Sequence, residues 1–276
     1  MLLFLLISYL YYLYTMKYFY FLILFCTIFS CSEYQKILKN TDTNFQYEEA
    51  IRYYDNGDFS RSIQLLEVLL DDFIGTSDAE NIYYHYTYCY FYLKDYVSAV
   101  YHFNRFNNLF ITSDKLEEMK FMHAYSHYLQ SPRSSLDQTL TEEAIRSLEL
   151  FIDTYPESKR IVRVNELIID LNKKIEKKNF EIVKLYYDTG KFKSAIFAID
   201  NFLNNFPETD YLEEILYVQI QAYYKLAENS IEEKKSQRVK EAIFVIDNFL
   251  IAFPTGNFIN NVQVIYEKLK NIENGL

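Results

Sequence analysis

The sequence predicts an all-α protein, an α-solenoid of five helix hairpins followed by a capping helix at the C-terminus. Two observations carry this prediction. Half of the 276 residues are apolar, whereas Gly and Pro number only five and four, and this composition favours helices over turn-rich β folds. A helical motif also recurs along the chain, which is typical of a solenoid because a single hairpin cannot bury its own apolar face.

The recurring motif Tyr-Tyr-Asp-x-Gly-x-Phe occupies residues 53–59 and again residues 186–192. Its Gly can adopt the left-handed conformation that ends the first helix of a hairpin, and the second helix begins after the aromatic residue. A small residue in each second helix allows close packing on the first helix. The spacing of these small residues starts near the length of a tetratricopeptide repeat (TPR), about 34 residues, and lengthens along the chain. They are Ser62, Ala99, Ala144, Ala195 and Ala242.

The helix ends have signals of their own. The pattern Phe-x-x-x-x-Pro recurs at residues 151–156, 202–207 and 249–254, so a Pro follows each second helix where its missing N–H is harmless. Neither Gly nor Pro interrupts residues 157–188, which predicts one long helix joining two halves. Residues 257–272 are expected to form the capping helix.

The N-terminal residues 1–30 have the composition of a membrane-targeting segment, with a single charged residue. The layout from Met16 onward is that of a signal peptide, so Met16 is the expected start of translation. Cys31 follows the apolar run and resembles the lipidated cysteine of a bacterial lipobox, although Phe29 replaces the small residue that is usual there. Residues 31–43 would then form a lipidated tether. The alternative is an uncleaved anchor helix.

The composition and motifs also exclude several functions. The formal net charge of −10 argues against nucleic acid as a partner, because that affinity comes largely from Lys and Arg. The sequence has no nucleophile elbow, phosphate-binding loop or Cys-x-x-Cys motif. His123 and His127 form an i, i+4 pair without an evident third metal ligand, so we favour a structural role for them. We therefore expect a protein that is not an enzyme and uses no cofactor or metal.

Three segments carry a resemblance to a known family. Residues 155–158, Tyr-Pro-Glu-Ser, lead into the long helix, and residues 222–230 are followed by a Lys-rich insertion and then by Glu-Ala-Ile at 241–243. With the lipoprotein-like N-terminus and five TPR-like units, these segments resemble the BamD family, also called YfiO or ComL, and its Bacteroidetes branch in particular. This family is the TPR lipoprotein of the outer-membrane β-barrel assembly (BAM) machinery.

The resemblance implies a scaffold anchored by lipid on Cys31 at the periplasmic face of the outer membrane. It implies two kinds of protein partner, the periplasmic domains of BamA and the C-terminal segments of unfolded outer-membrane proteins, and a membrane contact through the lipid anchor. The alternative is another periplasmic TPR lipoprotein, an adaptor for nutrient uptake or cell-wall assembly that shares the anchor and the solenoid.

The candidate binding site is a groove formed by the first helices of the first three units. Helix positions three to four residues apart share a face, and eight of the nine groove positions are aromatic. Barrel precursors end in strands with alternating aromatic residues, which an aromatic groove with phenol hydroxyls suits. The alternative is that single rings fill the core or reflect codon composition. The nine positions are Tyr47, Ile51, Tyr54, Tyr84, Tyr88, Phe91, Phe121, Tyr125 and Tyr128.

The predicted organisation has two halves after the tether. An N-terminal half at residues 44–156 holds three units, and a C-terminal half at residues 157–276 holds the long helix, two units and the cap. Basic stretches at residues 173–178 and 234–240 lie in the C-terminal half. We interpret them either as a docking site for an acidic partner or as solvated helix faces.

Overall fold

A computed structural model of the chain describes residues 33–73 and 75–275, and within these ranges the regular secondary structure is helical, with no strand. Contacts divide the chain into two compact units, unit 1 (Met1–Leu129) and unit 2 (Gln130–Leu276). The predicted signal peptide, the start at Met16 and the lipidation site Cys31 lie outside the described residues, so they stay predictions.

Unit 1 begins with a short helix and continues with longer ones. Three-residue turns at 56–58 and 93–95 join the second helix to the third and the fourth to the fifth, which makes each pair a hairpin. The bounds are α1 (33–38), α2 (Thr43–Asp55), α3 (Phe59–Asp72), α4 (Ala79–Tyr92), α5 (Tyr96–Leu109) and α6 (Leu116–Gln130).

Unit 2 contains the long helix and the C-terminal cap. Its helices are α7 (Thr139–Thr154), α8 (Ile161–Asp188), α9 (Phe192–Asn205), α10 (Leu212–Glu228), α11 (Glu232–Ala252) and α12 (Ile259–Asn274). Helix α9 packs against α8, α11 against α10, and α12 closes the series against α10 and α11. The all-α prediction, the succession of paired helices and the capping helix are confirmed.

The hairpin turns repeat the same hydrogen bonds in three places. Gly57, Lys94 and Gly190 have positive φ angles of 76°, 62° and 73°. In each turn the N–H of this residue donates to the carbonyl three residues earlier, and the next N–H donates to the carbonyl five residues earlier, over 2.9–3.0 Å. This is the Schellman pattern of helix termination. The predicted role of the two glycines is confirmed, and Lys94 takes the same role without being Gly.

The packing positions predicted by the repeat lie in the core. The five small residues Ser62, Ala99, Ala144, Ala195 and Ala242 are all fully buried. The aromatic residues of the Phe-x-x-x-x-Pro pattern, Phe151, Phe202 and Phe249, are each 2% exposed. Each accepts, through its carbonyl, the N–H of the residue four positions later, which closes the helix before the Pro. The Phe-x-x-x-x-Pro pattern therefore identified the C-terminal ends of α7, α9 and α11.

Residues 33–38 differ from the predicted tether, because they form helix α1 and pack onto unit 1. Tyr34 and Ile37 lie three residues apart on one face of α1, and they are only 8% and 7% exposed. Their cluster includes Ala50 of α2 and Leu65 of α3. The Tyr34 hydroxyl also donates to the carbonyl of Arg61 over 3.0 Å. Burying two large apolar side chains stabilises the packed position of α1, whereas a free tether would leave both side chains in water.

The division into units also differs from the predicted one. It falls between Leu129 and Gln130, whereas the sequence suggested a boundary after Pro156. Helix α8 is continuous over 28 residues, as predicted, and this corresponds to a length of about 42 Å. It lies wholly within unit 2, where both α7 and α9 pack against it. A helix of this length provides packing surface for two partners, so it organises one unit instead of linking two.

Candidate functional site

The nine predicted groove residues all lie in unit 1, and we call them the aromatic face. Three come from α2 (Tyr47, Ile51 and Tyr54), three from α4 (Tyr84, Tyr88 and Phe91) and three from α6 (Phe121, Tyr125 and Tyr128). Eight of them are partly exposed and Tyr88 is buried. Ring contacts run from Tyr54 of α2 through α4 to Tyr125 of α6.

The first part of the aromatic face is an open cleft between α2 and α4 of about 490 Å³. The Tyr54 ring contacts His85 edge-on with 4.9 Å between ring centroids, which joins the two helices. Burial raises the pKa of Tyr54 far above its usual value, with Tyr92 adding to the effect. The cleft is lined by Tyr47, Glu48, Ile51, Arg52, Asp55, Asn56 and His85. It therefore combines apolar surface with charges of both signs.

The second part is a hydrogen-bonded tyrosine pair on α4. The rings of Tyr84 and Tyr88 are 4.8 Å apart, and both hydroxyls donate to Oε1 of Glu118 on α6, that of Tyr84 over 2.8 Å. Burial, followed by the bond to Glu118, raises the pKa of Tyr84 to about 12. Since Tyr88 is 7% exposed, it is a structural member of the face, and its hydroxyl serves to hold α6.

The third part is a stack of rings along α6. Tyr125 stacks on Phe121 with 5.8 Å between ring centroids and an interplanar angle of 7°, and on Tyr128 with 5.7 Å and 9°. The Phe91 ring of α4 lies 6.2 Å from Tyr125. Such parallel rings present edges and faces to solvent while their partners fix their orientation, which is a preorganised surface for apolar or aromatic side chains.

Ion pairs border the aromatic face. Lys115 pairs with Glu80 over 2.9 Å, and its Nζ lies 5.8 Å from the centre of the Tyr84 ring. Hydrogen bonds from Lys115 and Ser113 outweigh partial burial and lower the pKa of Glu80. This pair connects the start of α4 to the start of α6. A charged pair therefore lies at the edge of the aromatic face, beside rings that are partly exposed to solvent.

Half of the cations in the basic stretches of unit 2 make hydrogen bonds or ion pairs within that unit. Lys174 donates to Oγ of Ser131 over 3.2 Å, and Lys178 donates to the carbonyl of Ser135 over 3.0 Å, so both hold the loop between α6 and α7. Arg238 donates to Oγ of Ser230 over 2.6 Å at the end of α10. Lys235 pairs with Glu232 on its own helix. The exposed cations are Lys173, Lys177, Lys234 and Lys240.

The histidine pair shows no metal-site geometry. The His123 and His127 rings lie 4.9 Å apart on α6, and burial, followed by the charge of His127, lowers the pKa of His123 to about 4. Within residues 33–73 and 75–275, no group of three His, Cys, Asp or Glu side chains could hold a metal ion. His123 is therefore a partly buried ring whose protonation is disfavoured.

Unit 2 contains a second cleft that sequence reasoning missed. It measures about 550 Å³ and lies between α8, α10 and α12, with Tyr187, Tyr217 and Tyr224 among its lining residues. Tyr187 occupies the same position in the repeated Tyr-Tyr-Asp-x-Gly motif as Tyr54 of the aromatic face. This equivalence was the signal that could have revealed the cleft, because equivalent positions in a repeat protein line equivalent surfaces.

Repeated helix hairpins with aromatic clefts define a TPR-like helical-repeat protein, a class that functions by binding other chains. No helix in the described part of the chain has the length and apolar character needed to span a membrane. A family model described as YfiO, outer membrane lipoprotein, matches residues 39–239. Because this match covers most of the chain, the protein belongs to the YfiO family, the BamD family of outer membrane lipoproteins.

Two individual proteins show the extent of similarity. The outer membrane protein assembly factor BamD of Helicobacter pylori (strain ATCC 700392 / 26695) is 35% identical over 66 residues, which is 24% of this chain and 30% of that protein. The match thus spans under a third of that relative's length. A TPR repeats protein from Bacteroides fragilis NCTC 9343 aligns over 84% of this chain and all of its own, with 12% identity and a TM-score of 0.37.

Proposed function

We propose that this protein is a lipid-anchored scaffold of the outer-membrane β-barrel assembly machinery and has no enzymatic activity. The observation that carries the proposal is the family match across residues 39–239. The name of the Helicobacter pylori relative, an outer membrane protein assembly factor, supports the same role. On this proposal the partners are the periplasmic domains of BamA and the C-terminal segments of unfolded outer-membrane proteins.

The proposed anchor is a lipid on Cys31 at the periplasmic face of the outer membrane. Cys31 precedes Tyr34 by three residues, and an extended chain spans at most about 3.6 Å per residue. Because Tyr34 is packed onto unit 1, the lipid would hold this unit within about 11 Å of its attachment point. Mass spectrometry of the membrane-extracted protein should find a diacylated N-terminal Cys31, and an unprocessed N-terminus would contradict the anchor.

The proposed substrate site is the aromatic face of unit 1. Its rings are held by neighbours at fixed angles, so they can contact a strand's aromatic side chains without first losing rotamer entropy. The α2–α4 cleft also offers the charged and amide groups of Arg52, Asp55 and Asn56, which can hydrogen-bond the unpaired backbone of an extended segment. Both features suit the C-terminal strand of a barrel precursor before it has paired in a sheet.

The test is the affinity of the purified full chain for a synthetic C-terminal peptide of a β-barrel outer-membrane protein. Tyr47 and Ile51 line the α2–α4 cleft without joining the Tyr84–Tyr88–Glu118 hydrogen bonds. The double variant Tyr47→Ala with Ile51→Ala should weaken binding about tenfold or more, equivalent to about 1.4 kcal/mol, because apolar contact area is lost.

The matched control is Phe197→Ala with Phe244→Ala, which removes two large side chains that are 68% and 66% exposed in unit 2. This control should bind the peptide as the unchanged protein does, and both double variants should retain the helical circular dichroism of the parent. Equal peptide affinity for the two double variants would contradict a substrate site on the aromatic face.

A further inference from the structure

The cleft of unit 2 contains a charge cluster with one cation in excess. Lys225 pairs with Glu228 over 2.7 Å, and the Tyr224 hydroxyl donates to the other oxygen of the same carboxylate over 2.6 Å. Nζ of Lys268 lies 5.9 Å from the centre of the Tyr224 ring on the side of α12. Lys225 lies 5.4 Å from the same ring. Two lysines and one glutamate therefore meet at Tyr224, leaving a net charge of +1.

Lys268 is the cation left without a carboxylate. It is exposed, and among the described residues no Asp or Glu lies within ion-pair distance of it. Its field is felt at Glu228, whose pKa is lowered first by Lys225 and Tyr224 and in smaller part by Lys268. The charge surplus is local, because the whole chain carries −10. A carboxylate from outside the chain would complete this cluster.

The same cleft has amide groups available for hydrogen bonds. Gln221 of α10 and Asn260 of α12 line it, and neither side-chain amide is bonded to another described residue. Asn261 donates to the Tyr217 hydroxyl over a long 3.4 Å. A side-chain amide both donates and accepts, so such groups match the unpaired N–H and C=O of an extended chain, whereas a bound helix would offer no free backbone groups.

The arrangement favours a segment that passes through the cleft. Helix α10 packs between α8 and α12, and Lys225 stands on this middle helix with lining residues on both sides, Tyr187 on α8 and Asn260 on α12. A segment that contacts both outer helices must continue past the lysines. Its carboxylate is then an acidic side chain within the segment and not a chain end.

We propose that the cleft between α8, α10 and α12 binds an extended segment of a partner protein through an acidic side chain that pairs with Lys268. The tyrosine rings and Val264 contact the apolar side chains of that segment, and the amides of Gln221 and Asn260 bond its backbone. This proposal concerns unit 2 alone and does not rest on substrate binding at the aromatic face.

The probe is a short fluorescent peptide of alternating Thr and Val with one central Glu, acetylated and amidated so that it has no charged ends. Its affinity for the purified full chain is measured beside that of the same peptide with Gln in place of Glu. The Glu peptide should bind about two- to fivefold more tightly than the Gln peptide, as expected for an ion pair with an exposed lysine, and Lys268→Gln should remove this preference. Equal affinities of the two peptides for the unchanged protein would overturn the proposal.

Two further variants sharpen the test. Glu228→Gln removes the competing carboxylate, so the Glu peptide should bind more tightly to it, a change of opposite sign that unfolding cannot imitate. Lys240→Gln makes the same charge change as Lys268→Gln at an exposed site of α11 outside the cleft, and it should leave the peptide preference intact. A Lys240→Gln loss equal to that of Lys268→Gln would show general charge attraction and overturn the site.

The test also separates the two clefts. The Tyr47→Ala and Ile51→Ala double variant should bind the Glu peptide as the unchanged protein does, since both residues lie in unit 1. If that variant loses the Glu peptide while Lys268→Gln retains it, the acidic segment binds at the aromatic face and the proposal for unit 2 fails.

Discussion

Lys94 has a left-handed backbone conformation, with φ of 62°, that costs a residue with a Cβ about 1–2 kcal/mol. It stands at the helix-ending position where the equivalent turns have Gly57 and Gly190. The turn keeps its shape because the same two hydrogen bonds form and α4 and α5 pack on each other. Lys94 is therefore strained, because the turn shared by the repeats requires a positive φ at its position.

Lys94→Gly should raise the free energy of unfolding by about 0.5–1 kcal/mol, since relief of backbone strain exceeds the added entropy of the unfolded chain. Urea denaturation followed by circular dichroism measures the change. Gly57→Ala is the reverse experiment and should lower stability by about 1 kcal/mol. A Cβ at Gly57 would meet no atom within 4 Å, so its cost would come from φ alone. A destabilised Lys94→Gly protein would contradict this account.

His102 is a half-buried neutral side chain of α5. It stacks on Tyr90 with 4.7 Å between ring centroids, and its Nδ1 is 2.9 Å from the Tyr83 hydroxyl. Burial lowers the pKa of His102 to about 4, Arg105 adds to the lowering, and Asp95 opposes it. The tyrosines around it provide rings and no compensating negative charge. Protonating His102 therefore disfavours the folded state.

Stability should fall as the pH drops from about 6.5 toward about 4, because unfolded His102 takes up a proton in that range and folded His102 does not. The variant His102→Phe keeps an aromatic ring and removes the titration, so its urea midpoint should fall less between pH 7 and pH 5 than that of the unchanged protein. Burial also lowers the pKa of His85 and, to about 4, that of His123, so part of the slope remains. Identical pH slopes in the two proteins would show that His102 does not contribute.

At the residue scale, sequence could predict the five small packing residues and the two glycines, because each has a stereochemical reason that a repeat makes visible. It could not predict that Tyr88 is buried. Tyr84 and Tyr88 share one face of α4 and both bond Glu118, but Tyr88 also packs against Phe103 of α5, with 5.4 Å between ring centroids. A contact of this kind is fixed by tertiary packing.

At the scale of elements, the second helices of the hairpins begin in different ways. The Asp58 carboxylate accepts the N–H of Arg61 over 3.2 Å, and that of Asp95 accepts the N–H of Ser98 over 3.1 Å. Helix α9 begins after Lys191, whose side chain makes no such bond. Lys191 is also a cation at the positive end of the helix dipole, which is unfavourable. The start of α9 is therefore less stabilised than the starts of α3 and α5.

Lys191→Asp should stabilise the protein by about 1 kcal/mol, since it adds a capping acceptor of the kind that Asp58 and Asp95 provide. Thermal or urea unfolding measures the gain. Lys191→Ala is the matched control, because it removes the cation without supplying the acceptor, and it should gain clearly less. If the two variants are equally stable, the cap makes no contribution at α9.

The ends of helices were predictable where a Gly or Pro marks them and not elsewhere. Gly57, Gly190 and the prolines after α7, α9 and α11 marked ends correctly. Helix α1 was missed because two apolar residues in a short polar stretch give a weak periodic signal, and Tyr34 gains its partners from α3. The sequence also left the role of the basic stretch of α8 open. Lys174 and Lys178 bond to the loop at 131–135, and these contacts form only in the folded chain.

At the scale of the whole molecule, the described residues include a cleft between α2 and α4 in unit 1 and a cleft between α8, α10 and α12 in unit 2. The aromatic face of unit 1 is dominated by rings, whereas the cleft of unit 2 places amides and an unpaired lysine among tyrosines. The sequence predicted the repeat class and the family because both depend on patterns within the chain. It did not predict the division into units, which depends on whether α7 packs on α8.

The central claim is membership of the barrel assembly machinery, and affinity purification tests it most directly. The full chain with a C-terminal tag is purified from detergent-solubilised membranes, and co-purifying proteins are identified by mass spectrometry against an untagged strain. We expect recovery of a β-barrel protein with periplasmic repeat domains. Recovery of a TonB-dependent transporter or of cell-wall synthases in its place would contradict the claim and favour a different periplasmic adaptor.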